Sequence, residues 1–257
     1  MKAKRAASDD AELTLKIAAI LAQSADVQSL PNVLQALCEE LSWDLAEAWL
    51  PVPDQGQLQL ASTWHASPDV AVGWIEICKG IAVAPGHGMI GRVWASGEPE
   101  WIRDIGSSDV FPRAPFAADA GLRTAVAFPF RAHGRVVGVG SLLCREARLR
   151  DDRMVSRLAA AGEQIGVVAQ AYEFTNRSER YLRDLTESTS DILAAIRIDG
   201  AIEYENSAVE RVLGYQRLER IGRNVFDFIH PDDIPLTIDS IRAGMQEPGS
   251  VQRIEVR

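Results

Sequence analysis

Cysteine and histidine are scarce in this sequence, and their spacing excludes several kinds of site. The three cysteines, Cys38, Cys78 and Cys144, lie far apart and are odd in number. A disulfide framework or a zinc knuckle needs close or paired cysteines. The four histidines lack the i, i+4 spacing of a helical metal site. We therefore expect buried apolar thiols and no metal.

Positive charge and long apolar runs are scarce as well. Lys and Arg number 27 against 36 Asp and Glu, which gives a net charge of −9 and a pI near 5.0. A general nucleic-acid surface needs clustered positive charge. No stretch of about 18 uncharged apolar residues is present to span a bilayer, and Asp9, Asp10 and Glu12 interrupt the segment that a signal peptide keeps apolar. The sequence predicts a cytoplasmic protein with no nucleic acid and no membrane as partner.

Catalytic motifs are absent. The sequence has no Gly-x-Ser-x-Gly elbow, no P-loop and no His-Glu-x-x-His pair. Each histidine is followed by Ala, Gly or Pro, whereas the phosphoacceptor helix of a histidine kinase places an acidic residue there. Asp232 and Asp233 follow His-Pro and indicate the start of a helix, where carboxylates meet the positive end of the dipole. We predict that this chain is not an enzyme.

Length and composition predict two folded modules. The 257 residues exceed what one hydrophobic core usually organises, and 47% hydrophobic with 25% charged residues is typical of a folded protein. All six tryptophans fall before residue 102, which favours separate cores for the two halves. The predicted parts are a tail and helix at 1–27, a first module at 28–172, a connecting helix at 173–187 and a second module at 188–257.

The first module combines helical and strand patterns. Polar residues 1–10 predict a tail, and apolar residues from Leu13 onward have helical spacing. A second helix starts near Pro31, which suits a first helical turn. Two of the later strand signals are dense apolar runs that predict a hairpin. The predicted strands are Leu45–Val52, Leu58–Trp64, Leu122–Phe130 and Arg135–Leu143.

A long helix with a heptad-like seam follows from Asp151. Such a helix is too apolar to stand alone, so it packs on its own domain, on a partner copy or on both. We expect its first turns to serve the first module and Tyr172–Leu185 to form a homodimer contact, weakened by Thr175 and Glu179. The seam residues are Met154, Leu158, Ala161, Ile165, Val168 and Tyr172, with Leu182 and Leu185 continuing the pattern.

The periodicity changes again after Ser188. Asp191–Ile198 and Ala201–Tyr204 predict two short strands around a turn, and Asn206 can cap the next helix. Val251–Arg257 alternates apolar and polar residues and predicts a further strand. The pattern stops there, so we expect an incomplete second module with an unpaired sheet edge, and an output domain beyond residue 257.

Two phrases of the first module are specific. One is Gly88-Met-Ile-Gly-Arg-Val-Trp-Ala-Ser-Gly-Glu-Pro-Glu-Trp-Ile. The other combines Phe111-Pro-Arg with Ala120-Gly-Leu-Arg-Thr-Ala-Val-Ala-Phe-Pro-Phe and Gly134-Arg-Val-Val-Gly-Val. With the order of helices and strands, they make residues 30–170 resemble a GAF domain. This resemblance implies a small-molecule-sensing α/β (α+β) module with an antiparallel sheet flanked by helices.

The second module also carries short recognisable phrases. They are Asp191-Ile-Leu, Asp199-Gly, Asn206-Ser-Ala, Leu213-Gly-Tyr, Ile221-Gly-Arg-Asn and Phe228-Ile-His-Pro-Asp-Asp. Residues 180–257 therefore resemble the first part of a PAS domain, which implies a partial α+β module after the connecting helix.

The sensory chemistries of such relatives can be tested against single residues. A flavin adduct needs a cysteine after the Gly-Arg-Asn phrase, where this chain has Val225, and covalent bilin attachment needs a cysteine between Cys78 and Cys144. The Asn-Lys-Phe-Asp-Glu constellation of cyclic-nucleotide-binding GAF domains is absent. Haem would need an axial histidine, but His230 suits a local turn and His65 a core or rim position. We expect no covalent bilin, no flavin adduct and no haem, and the cofactor is unknown.

The segment Trp64–Phe116 is the candidate pocket, because in the resembling fold it covers the open face of the sheet. Aromatic walls with one or two cations suit a flat or anionic small ligand. The alternative is that these aromatics only form the second half of the core. The candidate residues are Trp74, Trp94, Phe111, Arg113, Phe116 and Arg123.

Two classes of function remain open at this point. One is the sensory input region of a bacterial signal-transduction protein, a sensor histidine kinase or a diguanylate cyclase. The other is a scaffold that dimerises and relays a signal without a ligand. A fold of this kind does not by itself name the ligand.

Overall fold

The computed structural model describes residues 2–23, 27–247, 251 and 253–257. Contacts divide the chain into two compact units, Met1–Arg177 and Ser178–Arg257. The strands of the first unit are β1 (Leu45–Val52), β2 (Gln57–His65), β3 (Glu100–Ile102), β4 (Thr124–Ala132) and β5 (Arg135–Cys144). Its helices are α1 (Lys2–Gln23), α2 (Leu30–Leu41), α3 (Pro68–Lys79), α4 (Gly88–Ser96), α5 (Ala114–Asp119) and most of α6 (Asp152–Glu187).

The five strands form one antiparallel sheet in the order β2-β1-β5-β4-β3. The predicted antiparallel sheet flanked by helices is confirmed, and the predicted hairpin is β4 and β5. β1 lies inside the sheet, where its Leu45 pairs with His65 on one side and with Leu143 on the other. A strand in this position is covered on both faces, which explains its dense apolar sequence.

The two faces of the sheet pack against different helices. Side chains alternate along a strand, so Ala46 and Ala48 of β1 join a core with α1, α2 and α6 on the first face. Leu45 and Trp49 join a second core with α3, α4 and α5 on the other face. The first core consists of aliphatic and aromatic side chains together with Cys38, Cys144 and Met154, whereas the second surrounds charged side chains, as described below.

The first helix is longer than predicted. α1 begins at Lys2 rather than near Ala11. Residues 2–10 are mostly polar, but Ala, Lys and Arg are good helix formers, so polarity there does not exclude a helix. Farther along α1, Leu13 and Ile17 are buried in the first core.

The first half of α6 packs on its own sheet. Leu158, Ala161 and Ile165 are buried in the first core. Gly162 and Gly166 let the helix approach β4 closely, because a Cβ atom there would lie 2.2 Å from the Pro129 carbonyl oxygen and 2.0 Å from the Arg131 carbonyl oxygen. The small residues of the seam therefore allow contact with the sheet of the same chain.

The second unit contains the end of α6 and a two-stranded antiparallel sheet. Its strands are β6 (Ala194–Ile196) and β7 (Ile202–Glu205), and its helices are α7 (Ala208–Leu213), α8 (Arg217–Arg220) and α9 (Ile234–Gln246). Ser207 rather than Asn206 is the residue before α7, so the prediction of an Asn206 cap is wrong. The Asn206 side chain instead accepts a hydrogen bond from the Leu193 amide.

The strand predicted at Val251–Arg257 is also wrong for the residues described there, 251 and 253–257, which pair with no strand. Alternation marks a strand only where a neighbour supplies the ladder. Arg257 is held by other bonds: its amide donates to the Asp233 carboxylate and its carbonyl accepts from the His230 amide. Gln252 lies outside the described residues.

The close approach of α6 and β4 makes a testable prediction. Gly166→Ala should lower the free energy of unfolding of the first unit by about 1 to 3 kcal/mol, because the added methyl overpacks the contact. Gly73→Ala is the matched control, since nothing lies within 4 Å of its Cβ position in α3, and it should be neutral or stabilising by up to about 1 kcal/mol. Urea unfolding followed by tryptophan fluorescence reports this unit alone, because it holds all six tryptophans. Equal effects of the two substitutions would contradict the contact.

Candidate functional site: a buried ion pair beside an apolar cavity

A carboxylate lies at the centre of the second core. Glu47 occupies β1 between Ala46 and Ala48 and is fully buried. Alternation along the strand places it on the same face as Leu45 and Trp49. The sequence analysis did not single it out, although a lone charge inside an apolar strand was a usable signal, because a buried charge needs partners.

Five hydrogen bonds from nitrogen and oxygen donors converge on this carboxylate. Arg113, in the segment before α5, binds both oxygens, with Nη1 2.7 Å from Oε1 and Nη2 3.1 Å from Oε2. The indole N–H groups of Trp74 and Trp49 donate at 2.7 and 3.0 Å. The Ser141 hydroxyl of β5 donates at 2.6 Å. Residues far apart in the chain are thus joined at one buried point.

The pairing overcomes the cost of burial. Burial acts to raise the pKa of Glu47, but the Arg113 charge and the hydrogen bonds from Arg113, Ser141 and Trp49 outweigh it and lower the pKa to about 2. The Glu47 charge likewise raises the pKa of Arg113 above its ordinary value, against the effect of burial. Both groups are therefore ionised at neutral pH.

Aromatic rings enclose the guanidinium. Its carbon lies 4.6 Å from the ring centre of Trp74, 5.2 Å from that of Trp49 and 5.3 Å from that of Phe111. Trp74 and Phe111 are stacked with 7° between their planes. Arginine stacks well on aromatic faces, because its planar cation meets the negative face of the ring. The ion pair and the rings fix α3 and the segment before α5 against the sheet.

A thiol completes the cluster. Cys78 Sγ lies 2.9 Å from Arg113 Nη1 and 3.5 Å from Glu47 Oε1. Burial, and then the Glu47 charge, raise the pKa of Cys78 to about 12 despite Arg113. Burial also raises the pKa of Cys38 and of Cys144. All three cysteines are free, and these thiols are protonated and therefore weak nucleophiles at neutral pH.

An apolar cavity of about 290 Å³ opens beside the cluster. Trp49 and Arg113 form part of its lining together with Phe111. The opposite side is the segment Ile81–Val83 and the start of α4, residues 87–90. His87 is exposed, with Nδ1 3.2 Å from the Pro85 carbonyl oxygen. The cavity is thus an aromatic and aliphatic recess with one buried cation.

The structure brings together three of the six predicted pocket residues. Trp74, Phe111 and Arg113 meet around Glu47. Trp74 and Trp94 belong to the second core but do not line the cavity, so only Phe111 and Arg113 of the six predicted residues border it. Phe116 is 42% exposed on the outer side of α5, and Arg123 forms an exposed ion pair with Asp104 at 3.0 Å. Sequence spacing alone could not distinguish the buried from the exposed positions, because neighbouring residues of α5 differ: the Ala117 side chain is buried and the Phe116 side chain is exposed.

No group of three or more His, Cys, Asp or Glu side chains is placed to hold a metal ion in the part of the chain that the structure covers. Within the same residues, no helix has the length and apolar character that crossing a bilayer requires.

Family comparisons fit this geometry. A GAF domain model matches residues 27–170, more than half of the chain. The chain belongs to the GAF domain family. A PAS fold model matches residues 180–257, so the predicted order of a GAF domain followed by a PAS domain is confirmed. Two sensory domains in this order fit the input region of a signalling protein.

Solved structures share the fold of the GAF domain at low identity. The GAF domain of a phosphoenolpyruvate-protein phosphotransferase from Coxiella burnetii is 16% identical with a TM-score of 0.55, over 68% of this chain and 98% of that one. Free methionine-R-sulfoxide reductase from Neisseria meningitidis, solved with its substrate, is 20% identical with a TM-score of 0.51, over 63% and 91%. The same fold therefore occurs in a regulatory domain and in an enzyme.

Curated proteins match over short stretches only. Transcription factor GLABRA 3 from Arabidopsis thaliana is 39% identical over 67 residues, and the blue light receptor lreA from Aspergillus flavus is 34% identical over 61 residues. These stretches are 25% and 24% of this chain but 10% and 7% of the relatives. The chain thus corresponds to a tenth or less of either protein.

The buried pair makes a prediction for the stability of the GAF domain. Glu47→Gln should lower its free energy of unfolding by about 3 to 5 kcal/mol, because Arg113 is left as a buried charge without a counter-ion. The double variant Glu47→Gln/Arg113→Met should regain part of that loss, since no unpaired charge remains. Urea unfolding followed by tryptophan fluorescence measures both. A double variant no more stable than Glu47→Gln would contradict the pairing.

The lowered pKa of Glu47 also predicts acid sensitivity. The carboxyl group titrates near 4.5 when unpaired and near 2 in the folded domain, so its stabilising contribution is complete above about pH 4.5 and is lost as the pH falls to 2. The shift corresponds to about 3 kcal/mol. The gap in unfolding free energy between the unsubstituted protein and Glu47→Gln should therefore narrow between pH 5 and pH 2. A difference in unfolding free energy that stays constant over this pH range would contradict the lowered pKa of Glu47.

Proposed function

We propose that this chain is the non-catalytic sensory input region of a bacterial signal-transduction protein, in which the GAF cavity binds a small ligand and the PAS domain relays the change. The output we propose is a cytoplasmic sensor histidine kinase of a two-component system, with a diguanylate cyclase as the alternative. Three free buried thiols suit a reducing compartment.

The observation that carries the ligand-binding role is the cavity beside the Glu47–Arg113 pair. Replacing a buried ion pair by well-packed apolar residues of similar volume is often neutral or stabilising, so its presence at the centre of a core favours a role other than stability. Here the pair and its rings hold a recess lined by Trp49, Phe111 and Arg113. A preformed apolar recess with a few convergent polar groups is typical of small-molecule sites. A scaffold that only dimerises does not need such a recess.

Reductase chemistry is the catalytic alternative that the fold comparison raises. Reduction of a sulfoxide by a cysteine needs an accessible thiolate as nucleophile. Cys78, the thiol nearest the cavity, is fully buried, is absent from the cavity lining and has a pKa raised to about 12. These properties favour binding over reduction.

The last turn of α6 supports the relay. Within the PAS unit, the Thr186 carbonyl accepts a hydrogen bond from Asn206 at 2.6 Å, and the Thr186 hydroxyl lies 2.8 Å from the Tyr204 hydroxyl. Glu187 accepts from the Ser207 amide at 2.6 Å and from Arg217 at 3.1 Å. The start of the same helix is buried in the GAF core. Each end of α6 is thus bound within its own domain, as a relay element needs.

Benzene is the probe for the cavity, because an apolar cavity of about 150 Å³ already accommodates one benzene molecule. The methionine methyl groups report where it binds: Met89 lines the cavity, Met154 belongs to the other core and Met245 to the PAS unit. We expect a saturable change of the Met89 methyl resonance alone and a higher melting temperature of the GAF domain. No change at Met89, or equal changes at Met89 and Met154, would refute the ligand-binding role.

A second stripe along α6 supports a homodimer. Apolar and small residues recur at steps of four and three and carry no charge. At about 100° per residue, this stripe lies about 140° around the helix from the seam buried in the GAF core. Val167, Phe174 and Tyr181 are more than 60% exposed. The stripe consists of Val167, Ala171, Phe174, Ser178, Tyr181 and Leu185.

We therefore predict that Phe174→Glu weakens self-association at least tenfold, because it places a charge in the seam of two paired helices. Arg183→Glu is the matched control: it adds the same residue on the opposite side of α6 and should leave association unchanged. Sedimentation equilibrium at several protein concentrations measures both. A protein that stays monomeric at high micromolar concentration, or equal effects of both variants, would contradict the proposed dimer.

A further inference from the structure

The cation beside the GAF cavity is already neutralised. Among the described residues that line the cavity, only Arg113 and His87 have ionisable side chains. Arg113 is paired through both terminal nitrogens with Glu47, whose side chain is 1% exposed. His87 is exposed to solvent. A ligand that enters therefore finds no free buried counter-charge among these residues.

Hydrogen-bond donors nevertheless remain. A guanidinium has five N–H groups, and the described residues accept three from Arg113: two go to Glu47 and one to Cys78. The first turn of α4 also borders the cavity through Gly88, Met89 and Ile90. The first N–H groups of a helix have no intrahelical acceptor, and no side chain of His87 caps them. The lining is thus mostly apolar, with a few N–H groups that lack an acceptor and with little free charge.

For an anionic ligand, the N–H groups favour binding and the lack of a free counter-charge opposes it. The free energies of these two effects decide whether an anion binds. The N-terminus of a helix favours a carboxylate by about 2- to 30-fold. Taking a carboxylate out of water without a counter-ion weakens binding by more than about 100-fold. A neutral carbonyl oxygen accepts the same N–H groups without that cost, and a hydrogen bond from a charged donor is worth about tenfold or more in affinity.

The volume sets the size of the ligand. One benzene ring occupies a cavity of about 150 Å³, so 290 Å³ admits two fused or linked rings. The faces of Trp49 and Phe111 favour flat aromatic molecules. We infer that the GAF cavity takes an uncharged, flat, two-ring molecule with a carbonyl-type acceptor, and that it discriminates against the corresponding carboxylate. This inference rests on the proposed ligand-binding role.

Three naphthalenes of nearly equal size test the inference: 2-acetylnaphthalene, 2-ethylnaphthalene and 2-naphthoate. Titrations of the full chain at pH 8, where an ordinary histidine is uncharged, follow the Met89 methyl resonance, with Met154 and Met245 as internal controls. We expect 2-acetylnaphthalene to bind at least tenfold more tightly than 2-ethylnaphthalene, which lacks the acceptor. It should also bind at least tenfold more tightly than 2-naphthoate.

Glu47→Gln gives a second and independent readout. It keeps the shape of the side chain but frees the Arg113 charge, so the ratio of affinities should move at least tenfold toward 2-naphthoate. If this variant does not fold, the three affinities of the unsubstituted protein still decide. Tighter binding of 2-naphthoate there, or an unchanged ratio in a folded variant, would overturn the inference while leaving the cavity a ligand site. Binding of benzene without binding of any naphthalene would also overturn it, whereas failure of benzene as well would refute the ligand-binding role itself.

Discussion

The ion pair between Glu47 and Arg113 is the interaction on which the second face of the GAF sheet depends. A carboxylate at the centre of a five-stranded sheet is tolerated only if every acceptor site finds a donor. Those donors come from β1, α3, β5 and the segment before α5. Satisfying one buried charge therefore determines where Trp74 and Arg113 lie. The hydrogen bonds to Glu47 hold Trp74 and Arg113 at the side of the cavity, so that their side chains do not fill it.

The two faces of the GAF sheet differ in what they bury. On the first face, α1, α2 and α6 close an apolar core through residues such as Leu37, Phe128 and Ile165, and the burial of this apolar surface stabilises the domain. On the second face, part of the buried volume is given to charge, thiol and cavity. Stability from one face allows the other to keep an arrangement that a purely structural core would not contain.

The sequence predicted those features that local patterns determine. The hairpin of β4 and β5 was predictable because both strands are covered on two faces and are therefore densely apolar. Val251–Arg257 shows the opposite case, since a strand needs a partner that no local pattern supplies. Glu47 was missed because its importance lies in partners 27, 66 and 94 positions away. Arg113 and Phe116 have similar local surroundings in sequence, yet one is buried and the other exposed, because Arg113 precedes the first turn of α5 whereas Phe116 lies on the outer side of that helix.

The buried and the exposed stripe of α6 connect the GAF fold with the proposed signalling role. A single 3.5-residue seam would have to serve either the GAF core or a partner, and a change in one would compete with the other. Two stripes about 140° apart leave Ile165 buried against the sheet and Phe174 and Tyr181 exposed, so the proposed dimer contact would not compete with the GAF core. A ligand that shifts the GAF core would then move both seams together, because they share one backbone. Gly162 and Gly166 would strengthen this coupling, because they place no side chain between α6 and the β4 carbonyl groups. No flexible side chain at these two positions would then absorb a displacement of the sheet. In the proposed relay, movement of the sheet would be passed to α6, whose last residues Thr186 and Glu187 are hydrogen-bonded within the PAS unit.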